Sequence, residues 1–390
     1  MKGKKIVSTL LVLLLLASLP VSALAAEGDI GKGYITVNAG SGGQTVTQGS
    51  QVDIPDSAPV ITGTSKENNV TINADSGQTA SVTLSGVNID VRDKGKAAVS
   101  TTGEGNVSIE LNGGSTLRSG YEHAGLEKNN GGSLTIGDEN KDGKLTAEGG
   151  KYGAGIGGGY YENGSDITIT GGEVKATGGE YGAGIGGGDH GNGSDITITG
   201  GKVKATGGRR GAGIGGGNYR IGKDITISGG EVNAIGGVTG AGIGGGCYGD
   251  GNNITVSGDA KLKVQGGVKD KHYGAGAGIG NGGKYGNHGG PNGAEVEPDT
   301  SGLTTNGSIE YYAPGADMEK DKPTSTTTGK PTEPGKPTEP TEPTEPGKPT
   351  EPIEPAVPEQ PEAERGMDAP LYFITDRDGR AVRCRAERKG

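Results

Sequence analysis

Tyr161, His190, Tyr219 and Tyr248 fall at one repeat position, just after a run of glycines. Exposed aromatic side chains in register offer flat platforms for sugar rings, with hydroxyls at the rim. The plain alternative is that the rings stack on each other and stiffen a turn. A second set is basic: Lys175, Lys204 and Lys263 share an outward column beside Arg209 and Arg210. Stacked like charges are costly unless solvated or neutralised, so the column fits either a solvated face or an anionic polysaccharide. A third set lies in "DENKDG". Asp138, Asn140 and Asp142 occupy the first, third and fifth positions of a calcium loop, with Gly143 at the turn and the Lys144 carbonyl at the seventh. The twelfth position is Gly149 rather than Glu, and a solvated Asp/Asn/Gly turn has the same spelling. The calcium reading predicts that calcium raises thermal stability.

Other columns are read as scaffold. Asp166, Asp195 and Asp224 stack beside Asn253, where capping a corner is the simplest role. Thr168/Thr170 and their equivalents form a short ladder that resembles an ice-binding face, but solvated strand faces commonly use threonine. Catalysis has little support. A lyase or hydrolase needs paired carboxylates, or a base beside metal-bound carboxylates, at one singular place. Here the acids recur by register.

The elements that must position these residues follow from a repeat. "GAGIGGG" begins at Gly153, Gly182, Gly211 and Gly240, each 29 residues after the last, and a fifth "GAGIG" begins at Gly276. A degenerate copy spans 123–152. Gly153, Gly155 and Gly158 satisfy the dinucleotide fingerprint G-x-G-x-x-G, but that motif needs a following helix, and "DITIT" alternates as a strand. The fold expected is all-β: a right-handed parallel β-helix of about 29-residue coils, each coil one rung of a solenoid. A stacked β-sandwich fits the strict spacing poorly.

Three strands per coil are expected, around Ala154 and Ile156, at "DITIT", and at "EVKAT". Ile156, Ile185, Ile214, Ile243 and Ile279 should form one inward ladder, and Ile167, Ile196, Ile225 and Ile254 another. Glu173, Lys202, Glu231 and Lys261 alternate in sign, as neighbouring rungs would. The pairs Gly171-Gly172 and Gly178-Gly179 are expected at corners that need positive φ. With 84 glycines, no tryptophan and one phenylalanine, the core must be thin and built from Ile, Val, Leu and Ala.

Outside the repeats, residues 1–26 have a basic start, an apolar run and a small-residue end, the pattern of a secretory signal peptide. Residues 27–66 are expected to cap the helix and form its first coil, with repeats over 67–312. Residues 313–366 form a Pro/Thr/Glu/Lys-rich linker of polyproline II character. Residues 367–390 hold a hairpin signal around Asp378-Gly379 that resembles the start of a further domain. No second apolar stretch predicts a membrane span in the mature chain. The net charge of −10 argues against nucleic acid, and two cysteines are too few for a disulfide framework.

The run "VTLSGVNIDV…NVSIELNGGSTLRSG…AGLEKNNGGSLTIGDENKDGKLTAEGGKYGAGIGGG" resembles secreted bacterial, especially clostridial, β-helix carbohydrate-binding proteins, over roughly residues 60–290. That group includes a polygalacturonate-binding family with calcium in its coils. The resemblance implies a β-helix at a Gram-positive cell surface with a polysaccharide partner. The expectation is a secreted, non-catalytic protein that binds an acidic or plant-type polysaccharide in contact with the cell wall. The alternatives are a structural stalk or adhesin module, and a polysaccharide lyase.

Overall fold

The structure is a computed structural model that describes residues 27–329, together with the backbones of two short strands, Tyr372–Thr375 and Ala381–Cys384. The expected signal peptide and nearly all of the proline-rich tract lie outside the described residues. The two C-terminal strands pair antiparallel, Tyr372 opposite Cys384.

Residues 27–329 wind into a parallel β-helix of about eight turns. Its three walls are sheets of nine, eleven and ten strands, here called walls A, B and C. Each coil visits A, then C, then B. One coil thus runs through strand Gly164–Ile169 on wall A, Glu173–Thr177 on wall C and Ile185–Gly186 on wall B. Register follows the sequence repeat. Ile156 pairs with Ile185, then Ile214, Ile243 and Ile279. Ile167 pairs with Ile196, Ile225 and Ile254.

The alternation of apolar and polar residues explains the walls. Ile167, Ile169, Val174, Ala176 and Ile156 are all at most 1% exposed and belong to one continuous core. Each fully buried Ile or Val contributes about 1.5–3 kcal/mol, too little for one coil to order itself against a backbone cost of about 1–2 kcal/mol per residue. Stacking supplies the rest through hydrogen bonds between coils. On the outside of wall C the charges alternate over five rungs rather than four. Lys144 precedes Glu173, Lys202, Glu231 and Lys261 in the same column, and its ammonium lies 2.9 Å from Glu173.

The corner glycines divide into two kinds. Gly172, Gly201 and Gly230 between walls A and C have φ of 79–84°, as expected. Gly178-Gly179 does not need positive φ, contrary to expectation. It is glycine because coils meet backbone to backbone there: a Cβ on Gly179 would stand 1.7 Å from the Gly150 carbonyl oxygen, and one on Gly208 1.5 Å from that of Gly179.

Both ends turn antiparallel. Ile35–Gly40 pairs in parallel with Val70–Ala74 but antiparallel with Gly43–Gln48, which pairs with Gln51–Pro55. That outermost strand carries a register irregularity and a left-handed Asp53 (φ 52°). Such distortion makes a poor template for another chain. At the other end, Ser308–Tyr312 continues wall C and pairs antiparallel with Ser325–Thr328. Among the described residues, no helix is long and apolar enough to cross a membrane.

Candidate functional site

The short strand of wall B is followed by a corner whose geometry sets the aromatic column. Tyr161, His190, Tyr219 and Tyr248 all take left-handed φ, between 61 and 63°. For residues with a Cβ that conformation is disfavoured by about 1–2 kcal/mol. It is held because each amide donates onward to the next coil: Tyr161 to Asp189 O (2.8 Å), Tyr219 to Cys247 O (2.8 Å) and Tyr248 to Gly283 O (3.1 Å). Identical corners one rung apart bring the rings into contact. Centroids lie 4.9 Å apart for Tyr161–His190, 5.5 Å for His190–Tyr219 and 5.5 Å for Tyr219–Tyr248, with interplanar angles of 23–34°.

The rings therefore give their faces to one another and their edges to solvent, and the Tyr248 hydroxyl accepts from the Tyr285 amide at 3.0 Å. Tyr161 is 59% exposed, Tyr219 47% and Tyr248 39%. A second column runs along the neighbouring corner, between walls C and B. It contains Tyr121, Tyr152, Tyr181, Arg210 and Tyr273, at separations of 4.9, 5.3, 5.3 and 5.2 Å. Tyr160 joins the two columns, stacked on Tyr152 at 4.7 Å and against Tyr161 at 4.3 Å. The contact with Tyr161 holds the Tyr160 phenol up at about 12, chiefly through a side-chain hydrogen bond. Lys151 sits 5.7 Å from the ring centroids of Tyr121, Tyr152 and Tyr181. The proximity of Tyr152, Tyr160 and Tyr181 is legible in the sequence. The continuation to Arg210 and Tyr273 is not, because Tyr273 belongs to an insertion outside the 29-residue period.

A buried polar column lies beside these rings. Asp189, Asn218 and Cys247 occupy one repeat position and are at most 4% exposed. Asn218 Nδ2 donates to Asp189 Oδ1 at 3.0 Å, and His190 Nδ1 lies 2.9 Å from the same oxygen without hydrogen-bond geometry. Asn218 Oδ1 is buried with no partner. Burial pushes the Cys247 thiol up, away from the reactive thiolate.

The basic residues separate. Arg210 stands in the second aromatic column. Arg209, next to it, is spent on Asp270 at 3.0 Å. Lys175 and Lys204 pair in register on the outer face of wall C, a different wall, followed by Asn233 and Lys263. Lys263 donates to Met318 O (3.0 Å) and lies 3.6 Å from Glu319, because the segment after Tyr312 folds back over wall C. The eight polysaccharide residues read from the sequence thus fall into one cluster (Tyr161, His190, Tyr219, Tyr248, Arg210, with Arg209 beside it) and a separate pair (Lys175, Lys204).

The calcium loop sits at a corner between walls A and C. Asp138 Oδ2 accepts from its own Gly143 amide at 3.1 Å, and Asp142 Oδ1 lies 3.5 Å from the Gly113 amide of the preceding coil. Asn140 and Asp142 are exposed, and the Lys144 side chain pairs with Glu173. Asp138 Oδ1 is buried and unpartnered. Among the described residues no three His, Cys, Asp or Glu side chains gather as a metal site. Asp138 thus closes the turn on itself, and Asp142 reaches the coil before it.

Asp166, Asp195, Asp224 and Asn253 occupy strands rather than corners. All have φ of 50–55°, and the pairing skips one on each strand without a shift of register, so each is a left-handed kink in its strand with an outward side chain. They line a shallow groove with Thr168, Thr197, Thr226 and Thr255. Lys223, 2.5 Å from Asp224, holds that carboxyl below the usual range.

The beta helix repeat family matches residues 141–160, 167–189, 196–218 and 225–247, each segment ending one residue before a member of the Tyr161 column. The chain is a parallel β-helix protein. No curated protein and no solved structure matches it. The family description names a repeat and no ligand; the two aromatic columns together form a ridge along adjacent corners of this β-helix.

Proposed function

We propose that this β-helix is a secreted, non-catalytic polysaccharide-binding protein of a bacterial cell surface, with an acidic or plant-type glycan as its ligand and the aromatic ridge as its contact. The observation that carries the reading is the unbroken ring column at coil spacing, the exposed phenols Tyr161, Tyr219 and Tyr248 with the half-buried His190 between them, beside the cations Lys151 and Arg210. Phenols, an imidazole, an ammonium and a guanidinium match sugar hydroxyls and carboxylates. Because the ring faces are taken, the glycan lies along the edges and is held mainly by hydrogen bonds. A periodic surface suits a periodic polymer, and affinity should rise with chain length as more rungs are engaged. The non-catalytic reading rests on the acids of wall A, which repeat by register.

A glycan array with the full chain, followed by titration of any hit against Tyr161→Ala and Tyr219→Ala, tests this. Both substitutions should weaken binding severalfold without releasing product from the glycan. A hit untouched by either substitution would refute the assignment to the ridge.

The stacking of the rings on each other favours a second reading, a structural stalk or adhesin module in which the ladder stiffens the corner. Each aromatic pair contributes about 0.5–1.5 kcal/mol beyond burial, discounted here by exposure. On that reading the same substitutions lower stability and leave any glycan affinity unchanged.

A further inference from the structure

We infer that Arg210 is the residue by which the ridge tells a charged glycan from a neutral one, taking a sugar carboxylate. The inference rests on the proposed glycan binding and deepens it.

Five arginines lie among the described residues. Arg92 pairs with Asp90, Arg118 with Glu148 and Arg209 with Asp270, each within 3.0 Å. Arg220 donates to the His190 carbonyl. Arg210 alone is set among aromatic rings. Its guanidinium lies 5.3 Å from the Tyr181 centroid and 5.2 Å from that of Tyr273, and it donates one hydrogen bond, to the Tyr273 hydroxyl at 3.0 Å. No carboxylate of the described residues is within ion-pair distance of it.

A guanidinium has five N–H donors in a planar fork that matches a carboxylate in two parallel hydrogen bonds. The Tyr273 hydroxyl takes one N–H of the fork, which leaves the others for further partners. Two aromatic contacts also fix the side chain, so little rotamer entropy remains to be lost on binding. The site is half-buried, where charge-assisted hydrogen bonds are screened less than at an open surface. It stands in the second aromatic column against Tyr181 and close enough to Tyr219 to feel its charge, so a sugar lying along the edges of those rings would bring a ring carboxylate to it. Arg209 has the same charge one residue earlier but is already neutralised by Asp270, which makes it the natural control.

The experiment uses the full chain and two probes with one ring skeleton: a hexauronate in its free-acid form and the same oligomer as its methyl ester. Calorimetric titration of the wild type should show at least tenfold tighter binding of the free acid. Arg210→Gln should remove that preference while keeping the affinity for the ester. Arg210→Lys should also lose most of it, since an ammonium keeps the charge but not the fork or the stacking. Arg209→Gln should stay within twofold of the wild type. Thermal melts confirm that the variants fold, and Arg210→Lys carries the test if Arg210→Gln does not. Equal binding of acid and ester by the wild type, or a preference retained in both Arg210 variants, overturns the inference. If Tyr219→Ala still weakens the ester in that case, the ridge reading survives and only the role of Arg210 fails. A wild type that binds neither probe overturns both.

Discussion

Gly208→Ala tests the backbone contact between coils. A Cβ at position 208 would stand 1.5 Å from the Gly179 carbonyl oxygen and 2.5 Å from its carbon. Real Cβ atoms keep at least 3.0 Å from such neighbours, so the two coils must part locally by about 1.5 Å. Two inter-coil hydrogen bonds cross that gap, Gly208 N to Gly182 O and Arg210 N to Glu180 O, both 3.0 Å. Opening by that amount stretches each to roughly 4.5 Å, past any hydrogen bond. Each lost bond in a half-buried corner costs about 1–3 kcal/mol, so the substitution should cost about 2–6 kcal/mol. Gly114→Ala is the control. Its Cβ meets nothing within 4 Å, and its φ is ordinary. That change should be neutral, or stabilising by about 0.4–1 kcal/mol through the unfolded chain. Urea unfolding followed by circular dichroism reads both variants. A Gly208→Ala variant within about 0.5 kcal/mol of the wild type would show that the coils are not packed backbone to backbone.

Ile214 is fully buried at the middle of the wall B ladder, so Ile214→Ala should cost about 2–5 kcal/mol in the same assay. His123 is raised above its ordinary value by its side-chain bond to Glu127, 2.9 Å away. A raised histidine contributes stability that is fully present below the unfolded value of about 6.5 and is lost as pH climbs through the higher folded value. The gap in stability between wild type and His123→Gln should therefore shrink from pH 6 to pH 9, and a gap that widens would reverse the assignment. Cys247 is fully buried with its thiol pushed up. Mass-spectrometric mapping should find it unalkylated in the native chain and alkylated once unfolded.

The fold was legible because the repeat is strict. An interval of 29 residues between identical glycine runs leaves one arrangement in which Ile156, Ile185 and Ile214 share a core, and the pairing follows it. The corners were harder to read. Glycine at 178–179 and glycine at 172 are the same letter for different reasons, close approach in one case and positive φ in the other, and only the neighbouring coil separates them. Asp166 reads as a corner cap by residue type, yet it forms a left-handed kink within a strand. The aromatic column was visible by register, but ring orientation depends on the left-handed backbone at Tyr161 and its equivalents, which has no sequence signature in a non-glycine residue. The lysine column looked to lie beside Arg210 because Lys204 is close to it along the chain. The turn between walls C and B separates them, and the segment after Tyr312, which covers Lys263, follows no repeat that would announce it.

The central claim is that successive 29-residue units lie directly on one another. Spin labels at Lys144→Cys and Lys261→Cys, in a Cys384→Ser background, test it most directly. The column from Lys144 through Glu173, Lys202 and Glu231 to Lys261 spans four rung-to-rung spacings, or about 19 Å at roughly 4.8 Å per spacing. A narrow distribution near that distance, widened only by the label arms, is the predicted result. A mean beyond roughly twice that value would contradict the stacking, and with it the columns from which the ridge is built.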